Sequence, residues 1–228
     1  MSTDRRNEGQ LVCDVIGLES LVDDITFRAA MKAGSPPTDS AILGPFWRAD
    51  TPTRENGTSI SHNTPSDGEL TFMHGQVTDA ESGEPLANAT VDVWQASTNG
   101  INKVVYMSAK DPEQIDHNLR GKFVTDAEGK YSFYCLRPTP YPVPGDGPAG
   151  KLLQLLDRHN YRPAHIHLIV ESKGHNPLTT QIFDENSNYL KDDSVFAVKD
   201  GLTVRFEPLK DDPKAMWNLE YNVKLAKA

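Results

Sequence analysis

From Glu69 to its C-terminus the chain is a succession of short apolar runs that are separated by turn residues. The runs are ELTFMHGQVTD, ATVDVWQAS, KFVTDAEGKYSFYCL, AHIHLIVE, LTTQIFD, LTVRFEPL and WNLEYNVKLA. Short runs that are rich in β-branched and aromatic residues are typical of strands. Helical patterns are nearly missing between them, so the sequence predicts a mostly-β fold, an antiparallel β-sandwich. The third run is predicted to be a hairpin that turns at 126–129.

An amphipathic helix is predicted ahead of the strands. Apolar residues recur there every three or four positions, which places them on one face of a helix. They are Leu11, Val15, Leu18, Val22 and Ile25. The helix is expected to end near 33–34, because the prolines that follow cannot continue it. A second helix of one or two turns is predicted in KLLQLLDRHN.

Composition and charge argue against several classes of partner. The 228 residues include 32 acidic and 23 basic side chains, and the net charge of −9 disfavours nucleic acid and anionic membranes. The chain has no apolar run of about eighteen residues, the length that a membrane-spanning helix needs. Cys13 and Cys135 form no disulfide framework, and the polar N-terminus does not resemble a secretory signal. We therefore expect a soluble, cytoplasmic protein.

Two histidines stand two positions apart in the run NYRPAHIHLIV. Side chains alternate between the faces of a strand, so His165 and His167 point the same way and their rings can converge on one ion. In the alternative interpretation, one ring is solvated and the other is hydrogen-bonded locally. No cysteine lies nearby and the chain has no HExxH motif, which disfavours the common zinc sites. Oxygen donors remain, and tyrosine phenolate favours a hard ion such as Fe(III).

Several ordered motifs together resemble the intradiol ring-cleaving dioxygenases. RPAHIH is preceded by PYPVPGDGPAGKLL and followed by LTTQIF, and ILGPFW lies near the front of the chain. The resemblance extends from about Leu11 to the C-terminus and is greatest to the hydroxyquinol 1,2-dioxygenase branch. It implies a β-sandwich enzyme that binds one non-haem Fe(III) per subunit, with no haem, flavin or nicotinamide. Its implied partners are O2 and a small aromatic diol or triol.

By this resemblance, two tyrosines and two histidines hold the iron. The histidines are His165 and His167, and one tyrosine is Tyr141 of the proline-rich loop. The best match to the other tyrosine is Tyr106, between VDVWQAS and NLRGKF. The sequence departs from the family here, because the usual Gly-x-Tyr link would end at Asn102, which offers no phenolate. The resemblance makes Tyr106 the releasable ligand, which accepts a proton from the diol.

Arg162 and Gln181 are the other catalytic residues that the resemblance implies, together with Tyr106. A guanidinium beside the ring would stabilise the negative charge that develops where O2 attacks. The glutamine would hold a ligand in place by a hydrogen bond.

The resemblance places the substrate pocket between the front helix, the LGPF loop and the KDDSVFAV segment. Its lining residues are Leu11, Asp14, Ile42, Leu43, Gly44, Pro45, Phe46, Arg162, Ser194 and Val195. Catechol-specific relatives tend to have proline in place of Asp14, whereas hydroxyquinol enzymes have aspartate. A buried carboxylate needs a hydrogen bond, which the additional hydroxyl of benzene-1,2,4-triol (hydroxyquinol) can donate. We therefore expect cleavage of hydroxyquinol to 3-hydroxy-cis,cis-muconate (maleylacetate), with cleavage of catechol to cis,cis-muconate as the alternative.

The front of the chain is shorter than in bacterial relatives, which carry several more helices ahead of the segment that begins near Leu11. We expect residues 1–40 to form a helical segment that serves dimerisation and part of the pocket. Residues 41–228 are then the catalytic β-sandwich. The broad apolar face of the helix favours a homodimer.

Two other functions remain possible from the residues alone. HGQVTDAESGEPLANATVDVW suits a transthyretin-like or carbohydrate-binding β-sandwich that needs no metal. A zinc hydrolase would use the same histidines and a carboxylate ligand, for which Asp184 and Glu171 are weak candidates.

Overall fold

The N-terminal apolar stripe forms two helices instead of one. The computed structural model describes residues 2, 7–30, 36–62, 64–98, 104–105 and 115–228. Within them, α1 spans Glu8–Val15 and α2 spans Leu18–Ala30. The prediction of one continuous helix is wrong, because Gly17 adopts a left-handed φ of +76° and ends α1. The predicted helix end near 33–34 lies outside the described residues.

The two helices bury their apolar residues to different extents. In α1, Leu11, Asp14 and Val15 are buried against the rest of the chain. Four apolar residues of α2 are exposed: Leu18, Leu21, Val22 and Ile25 are 45%, 56%, 54% and 58% exposed. The predicted homodimer through this face stays a prediction. Among the described residues, no helix is long and apolar enough to cross a membrane.

Most of the regular structure that follows is strand, as predicted. The strands are β1 (Leu70–Asp79), β2 (Thr90–Gln95), β3 (Ser97–Thr98), β4 (Val104–Val105), β5 (Arg120–Val124), β6 (Lys130–Leu136), β7 (Tyr141–Pro142), β8 (Tyr161–Arg162), β9 (His165–Glu171), β10 (Leu178–Asp184), β11 (Thr203–Val204), β12 (Glu207–Pro208), β13 (Trp217–Glu220) and β14 (Val223–Leu225). The predicted short helix is α3 (Pro148–Leu155), and a 3₁₀ turn occupies Asp200–Leu202.

The strands form two larger sheets and two ribbons. The first sheet has the order β12-β13-β1-β14, with β6 also pairing with β1, and the second has the order β11-β10-β9-β2-β5. The ribbons are β3 with β4 and β7 with β8. The sheets are mixed, because β1 runs parallel to β13 and β14, and β10 runs parallel to β11. The mostly-β prediction is confirmed, whereas the prediction of an antiparallel sandwich holds for only part of the strand pairs.

The hairpin predicted around 126–129 is also wrong. The chain does reverse there, since Gly129 N donates to Asp126 O at 3.0 Å. However, β5 pairs with β2 in the second sheet, and β6 pairs with β1 in the first. The turn therefore carries the chain from one sheet to the other. Phe123 of β5 and Phe133 of β6 stack across the interior with ring centroids 4.6 Å apart.

The main hydrophobic core lies between the two sheets. Met73, Val77 and Leu219 of the first sheet share it with Val91 and other residues of the second. In β9 the core residues are Ile166, Leu168 and Val170. Burying an aliphatic side chain of this size contributes about 1.5–3 kcal/mol. Because side chains alternate along a strand, His165 and His167 project from the opposite, outer face of β9.

A second apolar layer covers that outer face. It is built from α1, the 41–42 segment, α3 and the 195–202 segment. Its buried members are Leu11, Val15, Ala41, Ile42, Val143, Ala149, Leu153, Phe183, Val195, Ala197 and Leu202. Both faces of β9 are therefore shielded from solvent where the two histidines stand.

Candidate metal centre

His165 and His167 lie side by side on the outer face of β9. Both are buried, and their Nε2 atoms are 3.2 Å apart. The carbonyl oxygen of Pro163 is 2.7 Å from His165 Nδ1. That nitrogen therefore carries the proton of the neutral ring, which leaves His165 Nε2 as an acceptor. The two rings converge, as alternation along a strand requires.

A two-stranded ribbon brings Tyr141 and Arg162 to the same place. Tyr141 of β7 is paired directly with Arg162 of β8. The Tyr141 hydroxyl lies 3.4 Å from His165 Nε2, and Arg162 Nη1 lies 3.0 Å from the same atom. A phenol, a guanidinium and two imidazoles thus meet at one buried point.

Gln181 and Asp193 hold the Arg162 guanidinium. Gln181 stands opposite His167 in β10, and its Oε1 accepts a hydrogen bond from Arg162 Nη2 at 2.7 Å. Its Nε2 in turn donates to the carbonyl of Ile42 at 2.6 Å. Asp193 accepts hydrogen bonds from Arg162 Nε at 3.2 Å and Nη2 at 3.4 Å. All three nitrogens of the Arg162 guanidinium therefore have a partner, because Nη1 contacts His165 Nε2.

Burial keeps the imidazoles and the phenol uncharged. Burial is the main reason that the pKa values of His165 and His167 lie well below the usual range, and the Arg162 charge lowers them further. Burial also raises the pKa of Tyr141, against the opposing effect of Arg162. For Arg162, burial lowers the pKa, but the Asp193 carboxylate and the Tyr141 side chain together raise it by more, so its pKa lies above the ordinary value. One paired cation therefore stands among neutral donors.

These donors suit a metal ion. The two Nε2 atoms face each other, and among the described residues His167 Nδ1 has no hydrogen-bond partner. A cation at the Nε2 atoms would use both lone pairs and would lower the pKa of the Tyr141 phenol. Imidazole suits iron and other transition metals, and phenolate favours the ferric ion. The remaining predicted ligand, Tyr106, lies outside the described residues.

Trp94 and Gly44 fix the orientation of the His167 ring. Trp94 is opposite His167 in β2, and the rings stack with centroids 4.7 Å apart and an interplanar angle of 10°. Gly44 has a left-handed φ of +71°, and a Cβ there would stand 3.3 Å from His167 Cε1. Glycine therefore allows the LGPF loop to approach the histidine closely.

Several of the predicted pocket residues belong to two apolar clusters. Leu11, Ile42 and Val195 pack together in the second apolar layer. Leu43 and Phe46 pack against Trp94 and Tyr141 in a smaller cluster. Ser194 is fully buried, whereas Pro45 is exposed to solvent.

Asp14 is a buried carboxyl on α1. Its pKa is raised to about 8, mainly by burial, then by a side-chain hydrogen bond with Glu19 and by the charge of that carboxylate. The Arg162 charge opposes this rise, so the carboxyl lies within electrostatic reach of the guanidinium. Within the described part of the chain, no group donates a hydrogen bond to Asp14 Oδ1. A ligand that carries a hydroxyl group can supply the missing donor.

Comparisons with known proteins identify the family. The family profile described as Dioxygenase matches residues 42–227. The chain is 48% identical over 226 residues to the intradiol ring-cleavage dioxygenase prcA of Aspergillus niger, covering 99% of this chain and 70% of that protein. This chain belongs to the intradiol ring-cleavage dioxygenases.

Two further similarities within the intradiol dioxygenases concern different named enzymes. The chain is 47% identical over 231 residues to the catechol 1,2-dioxygenase of Candida albicans, covering 99% of this chain and 74% of that protein. The solved structure of hydroxyquinol 1,2-dioxygenase from Pseudomonas putida DLL-E4 has a TM-score of 0.88 at 31% identity. That match covers 100% of this chain and 78% of the other.

Membership in the intradiol dioxygenases makes this chain an enzyme and removes the non-enzymatic alternative. The zinc hydrolase has no support in the geometry either. Asp184 accepts a hydrogen bond from Arg137 Nε at 2.6 Å, and Glu171 is exposed at the far end of β9. Among the described residues, no group of three or more histidine, cysteine, aspartate or glutamate side chains is placed to hold a metal.

Two residues of this intradiol dioxygenase's site were not singled out by the motifs, Trp94 and Asp193. Trp94 lies in the predicted strand VDVWQAS, but the register that sets it opposite His167 cannot be inferred from either strand alone. Asp193 follows another aspartate, Asp192, in the sequence. Asp192 is exposed and Asp193 is buried, and no local pattern distinguishes them.

Proposed function

We propose that this enzyme cleaves an ortho-diphenol ring between its two hydroxyl-bearing carbons with O2, at a ferric ion. His165, His167 and Tyr141 would hold the ion together with Tyr106. The observation that carries the proposal is the buried convergence of two neutral imidazole Nε2 atoms and a phenol beside Arg162. Ferric iron, when bound, supplies Lewis acidity that favours the deprotonated diol and the redox chemistry that makes its ring react with O2.

The chain's own residues then orient the diol and stabilise charge. Arg162 Nη1 is directed at the donor atoms, so the guanidinium is placed to stabilise negative charge that develops on the ring. Gln181 hydrogen-bonds to both the Arg162 guanidinium and the Ile42 carbonyl, and so holds the two groups in position relative to each other. The apolar layer over β9 excludes water, which strengthens both interactions. Tyr106 would accept one of the two diol protons.

We infer that hydroxyquinol is the preferred diol because of Asp14. Its carboxyl is buried and its Oδ1 has no donor among the described residues. The third hydroxyl of hydroxyquinol would donate to that oxygen, whereas catechol has no group to do so. Catechol is the second candidate, since a relative that is 47% identical is named catechol 1,2-dioxygenase.

The visible spectrum of the purified, iron-reconstituted protein tests the metal and its ligands. We expect a broad tyrosinate-to-Fe(III) charge-transfer band that shifts when hydroxyquinol or catechol is added without oxygen. Tyr141→Phe should weaken and shift the band of the diol-free protein. Tyr131→Phe is the matched control, because Tyr131 is also buried but its hydroxyl donates to the Tyr221 carbonyl at 2.6 Å. A reconstituted protein without the band would overturn the proposed function.

Tyr106 needs its own variant, since phenylalanine there removes the other proposed phenolate. We expect Tyr106→Phe to alter the band of the diol-free protein. Tyr134→Phe is the control, because Tyr134 lies in β6 of the first sheet and its hydroxyl donates to Asp212 at 2.6 Å. If Tyr106→Phe behaved like Tyr134→Phe, the fourth ligand would be a different residue.

Replacing Asp14 by leucine tests the substrate. One hydrogen bond contributes about 0.5–1.5 kcal/mol, so kcat/KM for hydroxyquinol should fall by about 2- to 13-fold. For catechol, kcat/KM should stay constant or rise. Asp24→Leu is the control, since Asp24 lies on α2 and pairs with Arg28. Equal losses for both diols in Asp14→Leu would remove the argument for hydroxyquinol.

A further inference from the structure

Asp193 is a buried carboxylate whose oxygens are all engaged. On one side, it accepts hydrogen bonds from Arg162 Nε and Nη2. On the other, Oδ1 accepts from the backbone N–H of Val195 at 3.3 Å, and Oδ2 accepts from that of Ala197 at 3.0 Å. The side chain of Asp193 is only 2% exposed and that of Arg162 only 4%. One carboxylate therefore joins the guanidinium to Ser194 and Val195, which form one side of the predicted pocket (the pocket wall).

The hydrogen bonds of Arg162 divide its guanidinium into a held edge, Nε and Nη2, and an edge that faces the proposed metal ligands. Nε and Nη2 are occupied by Asp193 and Gln181. Nη1 alone is directed at His165 Nε2, 3.0 Å away. Two contacts along the held edge define the plane of the fork, because a guanidinium is rigid and planar. Without Asp193, Nε would lose its acceptor, and the guanidinium would be held at Nη2 by Gln181 and otherwise by its contacts with His165 and Tyr141.

We propose that Asp193 is a positioning residue for ring cleavage. It fixes the plane of the Arg162 guanidinium so that Nη1 faces the diol ring, and it holds the guanidinium at a fixed position relative to the pocket wall at 194–195. This inference rests on the proposed function, since Arg162 is to act on the diol. Asp193 also neutralises part of the positive charge of Arg162. An unpaired Arg162 would bind the anionic diol oxygens more tightly in the ground state, and such uniform binding does not accelerate the reaction.

The first test is Asp193→Asn, which keeps the shape of the side chain and one acceptor oxygen. Resting iron content and the tyrosinate band should match the parent. Anaerobic diol affinity should be unchanged or tighter, whereas kcat should fall by about 10–100-fold, the usual cost of losing such a supporting partner. Asp192→Asn is the matched control, because Asp192 is exposed and contacts His159. Unchanged kcat in Asp193→Asn, or a loss confined to KM, would overturn the proposal.

A double-mutant cycle with Arg162→Met shows whether Asp193 acts through the guanidinium. If it does, Asp193→Asn should slow the parent but add nothing to Arg162→Met. Equal slowing in both backgrounds would mean that the carboxylate acts through the Val195 and Ala197 backbone, which overturns the proposal. Failure of Asp193→Asn to fold, while Arg162→Met folds, would also overturn it, since the carboxylate would then serve the fold.

A readout that needs no iron separates this inference from the proposed function. In the metal-free full-length chain, the Arg162 Nε–H should give a nuclear magnetic resonance signal that is protected from solvent exchange. We expect Asp193→Ala, which leaves no acceptor oxygen for Nε, to remove that protection and Asp192→Ala to retain it. Persistence of the protection in Asp193→Ala would show that other contacts hold the guanidinium. Should the parent lack both the tyrosinate band and diol turnover, the proposed function would fail while this measurement still stood.

Discussion

In the buried site, the charged residues are Arg162 and Asp193. Arg162 and Asp193 are paired, while burial keeps His165 and His167 neutral. Removing one partner of a buried ion pair costs about 3–5 kcal/mol, because an uncompensated charge remains. The neutral imidazoles, by contrast, are ready to bind a cation without losing a proton first.

Gly44 allows us to test how tightly His167 is held. Gly44→Ala should cost about 1 kcal/mol for the left-handed backbone, and further stability for the crowding of His167 Cε1. Its iron content after reconstitution should also fall, because the ring must move. Gly57→Ala is the control, since Gly57 has a φ of +79° with nothing within 4 Å of the added Cβ. Urea unfolding and iron analysis measure both effects; equal results for the two variants would contradict the expected crowding.

At the scale of elements, the turn between α1 and α2 docks on the pocket wall. Arg158 joins them, with Nη1 donating to the Val15 carbonyl at 2.6 Å and Nη2 to that of Ser194 at 3.0 Å. The Arg158 guanidinium lies 4.3 Å over the Phe196 ring. Phe196 has an unusual left-handed φ of +58°, and its ring lies against Gly17. The helices therefore help to position the wall as well as to cover the site.

Gly17→Ala should disturb this contact. The new Cβ would stand 3.0 Å from Phe196 Cδ2, in addition to the cost of about 1 kcal/mol for a left-handed alanine. We expect a larger loss of unfolding free energy than for Gly83→Ala, whose φ is +74° and whose Cβ meets nothing within 4 Å. Diol affinity should fall in Gly17→Ala alone. If both variants bound the diol as the parent does, the turn would not support the wall.

At the scale of the whole molecule, two carboxyl groups should make the free energy of unfolding depend on pH in opposite directions. Asp79 accepts a hydrogen bond from the backbone of Ser82 at 2.7 Å and lies 2.9 Å from His175 Nε2, which joins β1 to the connection between β9 and β10. These contacts, the Ser82 backbone first and His175 second, lower the pKa of Asp79 below 3.8. Its contribution is therefore present above pH 3.8 and is lost as the pH falls.

Asp79→Asn should accordingly remove part of the acid dependence. Urea unfolding between about pH 2 and pH 6 should show a shallower decline of the unfolding free energy towards acid than in the parent. Asp211→Asn is the control at an exposed position. An unchanged acid limb in Asp79→Asn would contradict the role of these hydrogen bonds.

Asp14 acts in the other direction, because burial raises its pKa to about 8. The folded chain then binds this proton more tightly than the unfolded chain. Its contribution is full below pH 3.8 and is lost as the pH rises towards about 8. Asp14→Asn should flatten this limb in urea unfolding between those two values. A parent-like slope in Asp14→Asn would show that the carboxyl ionises as readily when folded as when unfolded.

The strands and the direction of the histidine pair could be predicted from the sequence because both depend on local properties. Turn residues and β-branched runs mark where strands begin and end, and the two-residue period puts His165 and His167 on one face. The hairpin at 126–129 was wrong because a turn reverses the chain without choosing which sheet the next strand joins. Parallel pairing of β1 with β13 likewise depends on residues far apart in sequence.

The sequence by itself determined the strand content, the shared face of His165 and His167, and the motifs that predict the iron ligands. Only the tertiary structure decided that Trp94 stacks on His167 and that Asp193, not Asp192, pairs with Arg162. It also decided that Gly17 divides the N-terminal helix. The physical reason is that alternation and turn chemistry act between neighbours in the chain. Burial and pairing depend on which distant segments pack together, and no local pattern encodes that choice.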